Sequence, residues 1–303
     1  MEFNVLVLGS GAATPTQTRN CSSQLISVCG TRLLIDCGEG TQNRLRQYHQ
    51  KFQAIKYVLL SHLHGDHFFG LPGLLSTMHL CGRTEPITVF APKGCRESME
   101  LLFEVSGTKT NYALTICEVD VEVPTIIHQD RYFHIEAFPL YHSVPTFGYK
   151  IVEEPPLLNL RPLVRDKYNM SNDDCVKVKA GGDLAMPDGT VIPNATLTLP
   201  RRRPRSYAYC CDTGYSDTIA EAVQGVDLLC MESTFDSTFA SIAEERQHCT
   251  AAQSASVASA AGAGRLLLTH FSARYREIDP VLEEAKAIFP NTLCAEDGEK
   301  YEL

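Results

Sequence analysis

Four apolar stretches of strand length in this chain stop on a histidine or an aspartate. Lys56–Leu60 runs into Ser61-His62-Leu63-His64-Gly65-Asp66-His67. Phe138-Pro139-Leu140 is followed by His142, Tyr207–Cys211 by Asp212, and Arg265–Thr269 by His270. Strand ends of layered sheets are where α/β chains place their chemistry. His62 and His64, two apart on an extended chain, would point the same way, and Asp66 and His67 can turn in from the loop beyond. With ten histidines in 303 residues, three within six positions is not a chance spacing. Imidazole and carboxylate donors suit zinc, manganese or iron, and the lack of paired thiolates argues against a zinc finger. His62, His64, Asp66, His67, His142, Asp212 and His270 suffice for two metals sharing a bridging carboxylate. Such pairs clamp the attacking and leaving oxygens of a phosphoryl displacement.

The rest of the chain alternates in the same α/β manner. Strands are expected at Phe3–Leu8, Gln24–Cys29, Arg32–Asp36, Lys56–Leu60, Ile87–Ala91, Ala113–Val119, Tyr132–Phe138 and Phe147–Val152. Helices are expected at Glu39–His49, Leu71–Leu80 and Lys93–Ser106, from apolar residues at three and four spacing. Residues 153–205 break the pattern with Pro-Pro, Gly-Gly and Pro-Asp-Gly and end in RRRPR, as an inserted arm without a clear core pattern would. Alternation then resumes: strand Tyr207–Cys211, helix Ser216–Val223, strand Asp227–Met231, helix Thr250–Ala263, strand Arg265–Thr269, helix Pro280–Phe289 and a last strand near Thr292–Ala295.

Charge and composition remove other classes. The net charge of −9 is unlike that of a protein coated in nucleic acid. Yet residues 161–205 hold nine Lys/Arg against five Asp, a local +4 on a body of −13, which can steer a polyanion to one place. No apolar run reaches 18 residues, so no membrane-spanning helix is expected. The opening MEFNVLVLGSGAATPT lacks a basic n-region and reads as a first strand and turn. Twelve scattered cysteines without CxxC pairs read as free thiols of a reducing cytoplasm. Gly9-Ser10-Gly11 has Thr14 where a dinucleotide fingerprint needs its third glycine, so no organic cofactor is expected. His49, His79, His128 and His134 read as surface or core residues, and of Cys210 and Cys211 one is expected to pack in the core.

The ligand series, HxHxDH followed by a spaced His, Asp and His, resembles that of the metallo-β-lactamase fold superfamily, along essentially the whole chain. More narrowly it resembles the tRNase Z family. Gly9–Pro15 with Arg19-Asn20, Leu34–Gln42, His142–Tyr149 and Thr269–Tyr275 are similar to that family's local motifs. Glu232-Ser233-Thr234 resembles the HEAT motif with Met231 for its histidine, and His248-Cys249-Thr250 resembles HST with Cys249 for its serine.

The resemblance implies a four-layer αββα sandwich with an inserted flexible arm: one domain over 1–303, and a tRNA-binding arm over 153–205. It implies two Zn²⁺ per chain, one held by His62, His64 and His142, the other by Asp66, His67 and His270, with Asp212 between them. Asp66 would also orient or deprotonate the attacking water. His248 would protonate the leaving oxygen, and Glu232 would orient His248. Lys177, Lys179, Arg201, Arg202, Arg203 and Arg274 are candidate substrate contacts, although the arm lacks the family's Gly-Pro-rich loop. The implied activity is zinc-dependent removal of the 3′ trailer from precursor tRNA, by a cytoplasmic homodimer in which one subunit's arm serves the other's site. The alternatives are a hydrolase of the same fold acting on small phosphodiesters and a noncatalytic RNA-binding or metal-buffering protein. The last predicts a missing ligand, and none is missing.

Overall fold

The computed structural model describes residues 2–303. The chain begins with β1 (Phe3–Gly9), β2 (Ser23–Val28) and β3 (Thr31–Ile35), an antiparallel meander. Helix α1 (Thr41–Gln47) leads to β4 (Ile55–Leu59). A one-turn α2 (Gly65–Phe68) and α3 (Gly70–Leu80) lead to β5 (Ile87–Pro92), and α4 (Cys95–Ser106) to β6 (Leu114–Val119). From β3 to β6 the neighbours are parallel.

The second half repeats this plan. It opens with β7 (Thr125–Gln129), β8 (Phe133–Leu140) and β9 (Thr146–Glu153). The inserted segment carries α5 (Val164–Lys167), α6 (Asn172–Lys179), the short pair β10 (Leu184–Ala185) and β11 (Val191–Ile192), and α7 (Asn194–Leu197). Then follow β12 (Ser206–Cys210), α8 (Asp217–Ala222), β13 (Leu228–Glu232), α9 (Ala240–Glu245), α10 (Ala251–Ala260), β14 (Leu266–Thr269), α11 (Asp279–Lys286) and β15 (Thr292–Cys294). Strands β12 to β15 are parallel. The final β16 (Lys300–Glu302) returns to pair with β1 in the other sheet.

Two seven-stranded mixed sheets result, ordered β16-β1-β2-β3-β4-β5-β6 and β15-β14-β13-β12-β9-β8-β7. Because side chains alternate along a strand, one strand feeds two cores. Val5 and Val7 of β1 join a cluster with Tyr149, Tyr207 and Tyr209 of the second sheet. Leu6 and Leu8 face the other way, among residues of α1, α3 and α4. Ala208 and Cys210 of β12 likewise join α8, α10 and α11. Both faces of each sheet are covered, which is why the strands read as continuous apolar runs. This is the metallo-β-lactamase fold.

The chain divides into two compact units. One runs to Val152 and resumes from Arg205 to Leu303; the other is Glu153–Pro204. The smaller unit corrects the expectation of a segment without a core. Val164, Met170, Cys175, Val178, Leu184 and Leu197 form a hydrophobic cluster within it, and α6 opens on a capping box between Ser171 and Asp174. Six buried residues spread over short elements leave no periodicity to read. Strands β7 and β16 and helices α2 and α9 were also not anticipated. The strand at Thr292–Cys294 is followed by β16, so it is not the last.

A candidate binuclear metal centre

The site forms beyond the ends of parallel strands. Strand β4 stops at Leu59, so His62 and His64 lie past it on a turn rather than on the strand, and Asp66 and His67 sit in α2. The turn is packed tightly against the loop after β3: a Cβ at Gly38 would lie 2.2 Å from the Asp66 carbonyl oxygen, so only glycine fits. Asp36 and His270, directly after strands, and Asp212, two residues after one, have φ of 54°, 60° and 57°. Ala13 and Gln247, which border the same cleft, have 59° and 56°. Non-glycine residues in this left-handed region are strained, and five of the nine among the described residues surround this site.

Asp212 lies between two groups of donors. Its Oδ2 is 3.3 Å from His62 Nε2 and 3.7 Å from His142 Nε2. His62 Nε2 is in turn 3.0 Å from His64 Nδ1. Asp212 Oδ1 is 2.9 Å from His270 Nε2 and 3.4 Å from His67 Nε2. Asp66 Oδ2 faces the second group, 3.4 Å from His67 Nε2 and 3.6 Å from His270 Nε2, and accepts the Ala13 N–H at 2.8 Å. Donor atoms of His62, His64, His142 and Asp212 all lie within 4.8 Å of one another, as do those of His67, Cys211, Asp212 and His270. Cys210 and Cys211 are both fully buried in the core. The Cys211 thiol also donates to Asp212 Oδ1 at 3.4 Å.

The nitrogens turned away from the cluster are held too. His67 Nδ1 is 2.7 Å from Asp36 Oδ2. His62 Nδ1 is 3.0 Å from Ser61 Oγ, and His142 Nδ1 donates to the Gln247 carbonyl at 3.2 Å. Such outer partners fix ring orientation and raise ligand basicity. Asp36 is the centre of this shell, accepting also from Ser61 N, Ser61 Oγ and the Tyr209 hydroxyl. Sequence reasoning gave Asp36 no role, although it carries the same signature as the ligands: an acid directly after an apolar strand. Tyr209 had no such signal.

The electrostatics call for a cation. Burial opposes the charge on Asp212, yet His270, His67 and His62 hold its carboxyl well below the usual range. Asp66 is likewise kept low, against burial, by hydrogen bonds from His270 and His67. Burial also disfavours a charged His270, but Asp212 outweighs it and lifts His270 to about 10. His67 is raised by Asp212 and Asp36. His62 goes the other way, to about 4, through burial and the neighbouring His67 charge. Without metal, Asp212, Asp66 and Asp36 favour protons on His67 and His270, while burial favours neutral rings at His62 and His142. A divalent cation would displace those protons, as metal binding to such donors does. The imidazole and carboxylate set, in two groups around one carboxylate, fits a pair of such ions.

Beside the cluster, His248 Nδ1 lies 2.9 Å from Oε1 of the fully buried Glu232. Burial disfavours the His248 cation, but the Glu232 charge raises it above its ordinary value. Both cleft-facing sets meet in a cavity of about 570 Å³, bordered by Ala13, Thr14, Phe235, Arg246, Gln247 and His248. Met231 is buried among α8 and α10 residues, and Cys249 donates to the Thr213 carbonyl.

The substrate candidates divide. Arg274 belongs to the larger unit, exposed, its guanidinium 4.8 Å from the Phe235 ring centre and 4.2 Å from that of Phe239. Lys177, Lys179, Arg201, Arg202 and Arg203 belong to the smaller unit. Arg202 is paired at 2.8 Å with the buried Glu153. Within its own boundaries that unit holds eight Lys/Arg against seven Asp/Glu, a net +1. The +4 counted over 161–205 therefore depended on including Arg205 and leaving out Glu153 and Glu154.

A family model described as anti-Pycsar protein Apyc1 matches residues 3–141. Ribonuclease Z of Porphyromonas gingivalis is 37% identical over 301 residues, 99% of both chains. That of Bacteroides thetaiotaomicron is 39% identical, covering 98% of this chain and 94% of its own. Among solved structures, human tRNase Z, short form, aligns over 98% of both chains at 29% identity with a TM-score of 0.72. YhfI of Bacillus subtilis, a metallo-β-lactamase fold protein, shares the fold at 21% identity and a TM-score of 0.70, over the whole of both chains. With likeness of this extent spanning both units and every candidate ligand, the chain belongs to the ribonuclease Z family of metallo-β-lactamase-fold hydrolases.

Proposed function

We propose that this chain is a zinc-dependent endoribonuclease that removes the 3′ trailer from precursor tRNA. The observation that carries the reading is the His248–Glu232 pair beside a seven-donor cluster, in a chain similar from end to end to proteins named ribonuclease Z. His62, His64 and His142 would hold one zinc, Asp66, His67 and His270 the other, and Asp212 would lie between them. Two bound zincs supply charge neutralisation on the phosphate and a water acidic enough to attack near neutral pH. Asp66 would orient or deprotonate the attacking water. His248, its Nδ1 engaged by Glu232, donates from Nε2 to the departing 3′ oxygen. The bond from phosphorus to that oxygen breaks. The tRNA keeps a 3′-hydroxyl, and the trailer keeps a 5′-phosphate carrying the oxygen of water.

The smaller unit, with Lys177, Lys179 and Arg201–Arg203, contacts the phosphates of the tRNA body in this reading, because backbone contacts dominate affinity for structured RNA. The protein acts as a cytoplasmic homodimer. None of its cysteines forms a disulfide, and among the described residues no helix is long and apolar enough to cross a membrane. Incubating the purified protein with a 3′-extended precursor tRNA and mapping the new ends tests the reading. A single cut at the trailer boundary with the stated ends is expected. Cleavage of small phosphodiesters that precursor tRNA does not inhibit would favour a small-diester hydrolase instead.

A further inference from the structure

We propose that Thr234 is a positioning residue of the metal cluster, holding His270 with Nε2 turned onto Asp212 and tying it through Glu232 to His248. The inference rests on the binuclear reading above. Thr234 lies two residues beyond β13 and is buried. Its Oγ1 is 2.6 Å from Glu232 Oε2 and 2.9 Å from His270 Nδ1. A hydroxyl has one proton to give and lone pairs to accept with, whereas an ionised carboxylate only accepts. The Thr234 proton therefore goes to Glu232, and His270 donates its Nδ1–H to Thr234. That assignment leaves Nε2 as the donor nitrogen of His270. It is the atom 2.9 Å from Asp212 Oδ1 and 3.6 Å from Asp66 Oδ2.

Glu232 closes the network. Its Oε1 accepts the Thr213 N–H at 2.6 Å and faces His248 Nδ1 at 2.9 Å. Its Oε2 accepts Thr234 and the Cys249 N–H, the latter at 3.1 Å. Thr213 directly follows Asp212, and Cys249 directly follows His248. One carboxylate thus restrains the shared metal ligand, the proton donor and, through Thr234, His270. The supports of the other ligands run elsewhere: His67 to Asp36, His62 to Ser61 and His142 to the Gln247 carbonyl. Among the histidine ligands, His270 is the one whose ring orientation is shared with the proton donor.

The test is Zn²⁺ binding by chelator competition on wild type, Thr234→Val and Thr234→Ser, with folding followed by circular dichroism. Valine keeps the shape and removes the hydroxyl; serine restores the hydroxyl without the methyl. Outer partners of ligating histidines typically carry about 10–100-fold in metal affinity. One of the two binding steps should therefore weaken by about that factor in Thr234→Val, and return to within about threefold of wild type in Thr234→Ser. Absorption of the Co²⁺-substituted proteins should show one altered site in Thr234→Val. If the valine variant does not fold, Thr234→Ala takes its place with the same expectation. Unchanged affinities in the hydroxyl-free variant overturn the proposal. So does a serine variant as weak as valine, since the effect is then packing of the methyl. A wild type that binds no second ion fails earlier and takes the binuclear reading down with the proposal.

Discussion

His248 is not among the seven metal donors, yet its ring centre lies 5.3 Å from that of His142 and 5.5 Å from that of His270. Replacing it should slow chemistry without stripping metal. General acid catalysis is worth roughly 10²–10⁴-fold, so His248→Ala should lose precursor tRNA cleavage in that range at unchanged zinc content. A nitrophenyl phosphodiester, whose leaving oxygen needs no proton, should be far less sensitive. Equal losses on both substrates would make His248 a phosphate-positioning residue instead. The ligands were legible because each is a histidine or aspartate within a few residues of the end of an apolar strand, four of them clustered in the one turn and helix after β4. Thr234 was visible only as a member of the Glu232-Ser233-Thr234 motif, without a role of its own, and Tyr209 carried no signal. Tyr209 faces Asp36 only because Tyr207, Tyr209 and Cys211 point across the space between two sheets, and its partner is 173 positions away. A hydroxyl's role in a buried network is fixed by what the fold stacks against it, and no local spacing encodes that.

Strands buried on both faces were the plainest in the sequence, whereas an edge strand with an exposed face could be missed. Strands β1 and β2 are buried at every position and were found within a residue at either end. Strand β7 has no fully buried residue, so its five positions showed neither an apolar run nor an alternation. Ile127 packs against the core between the sheets, and so does His128, whose ring centre is 4.5 Å from that of Tyr57 and 5.8 Å from that of Phe133. His128 Nε2 is buried without a hydrogen-bond partner. Burial lowers the His128 pKa below its ordinary value, so the neutral ring is the form the fold accommodates. The unfolded chain, with an ordinary value of about 6.5, then binds more protons than the native state. This group's contribution to stability is present above that value and is lost as pH falls below it. His128→Phe, which keeps an aromatic ring against Tyr57, should flatten the decline in melting temperature between about pH 6.5 and 5. An acid limb as steep as the wild type's would place the titration elsewhere.

The whole molecule joins two units of different character: a body that carries the metal donors and an insertion with a small core and a net charge of +1. The insertion leaves β9 and re-enters at β12, and Val152 and Ser206 are register partners in that antiparallel pair. Partners in such a pair have Cα atoms about 4.5–5.5 Å apart, so the gap left by removing 153–204 can be closed by a turn of a few residues. A deletion closed in this way should keep the body folded, because the clusters on the two faces of each sheet contain no residue of the insertion. It should keep the zinc content and hydrolyse a nitrophenyl phosphodiester at close to the intact rate, since every candidate ligand, His248 and Glu232 remain. Cleavage of precursor tRNA should fall steeply. The salt dependence separates an electrostatic grip from a merely structural arm. If Lys177, Lys179 and the Arg201–Arg203 run grip phosphates, each neutralised phosphate releases counterions on binding, and log K falls with log salt by roughly 0.7–0.9 per phosphate. The deletion should then show a shallower slope, in proportion to the phosphates the insertion neutralises. With Arg202 already paired to Glu153, that number should stay below the five candidate cations named. A deletion that binds and cuts tRNA with the intact slope would make the insertion an ordinary folded loop and place recognition wholly on the body.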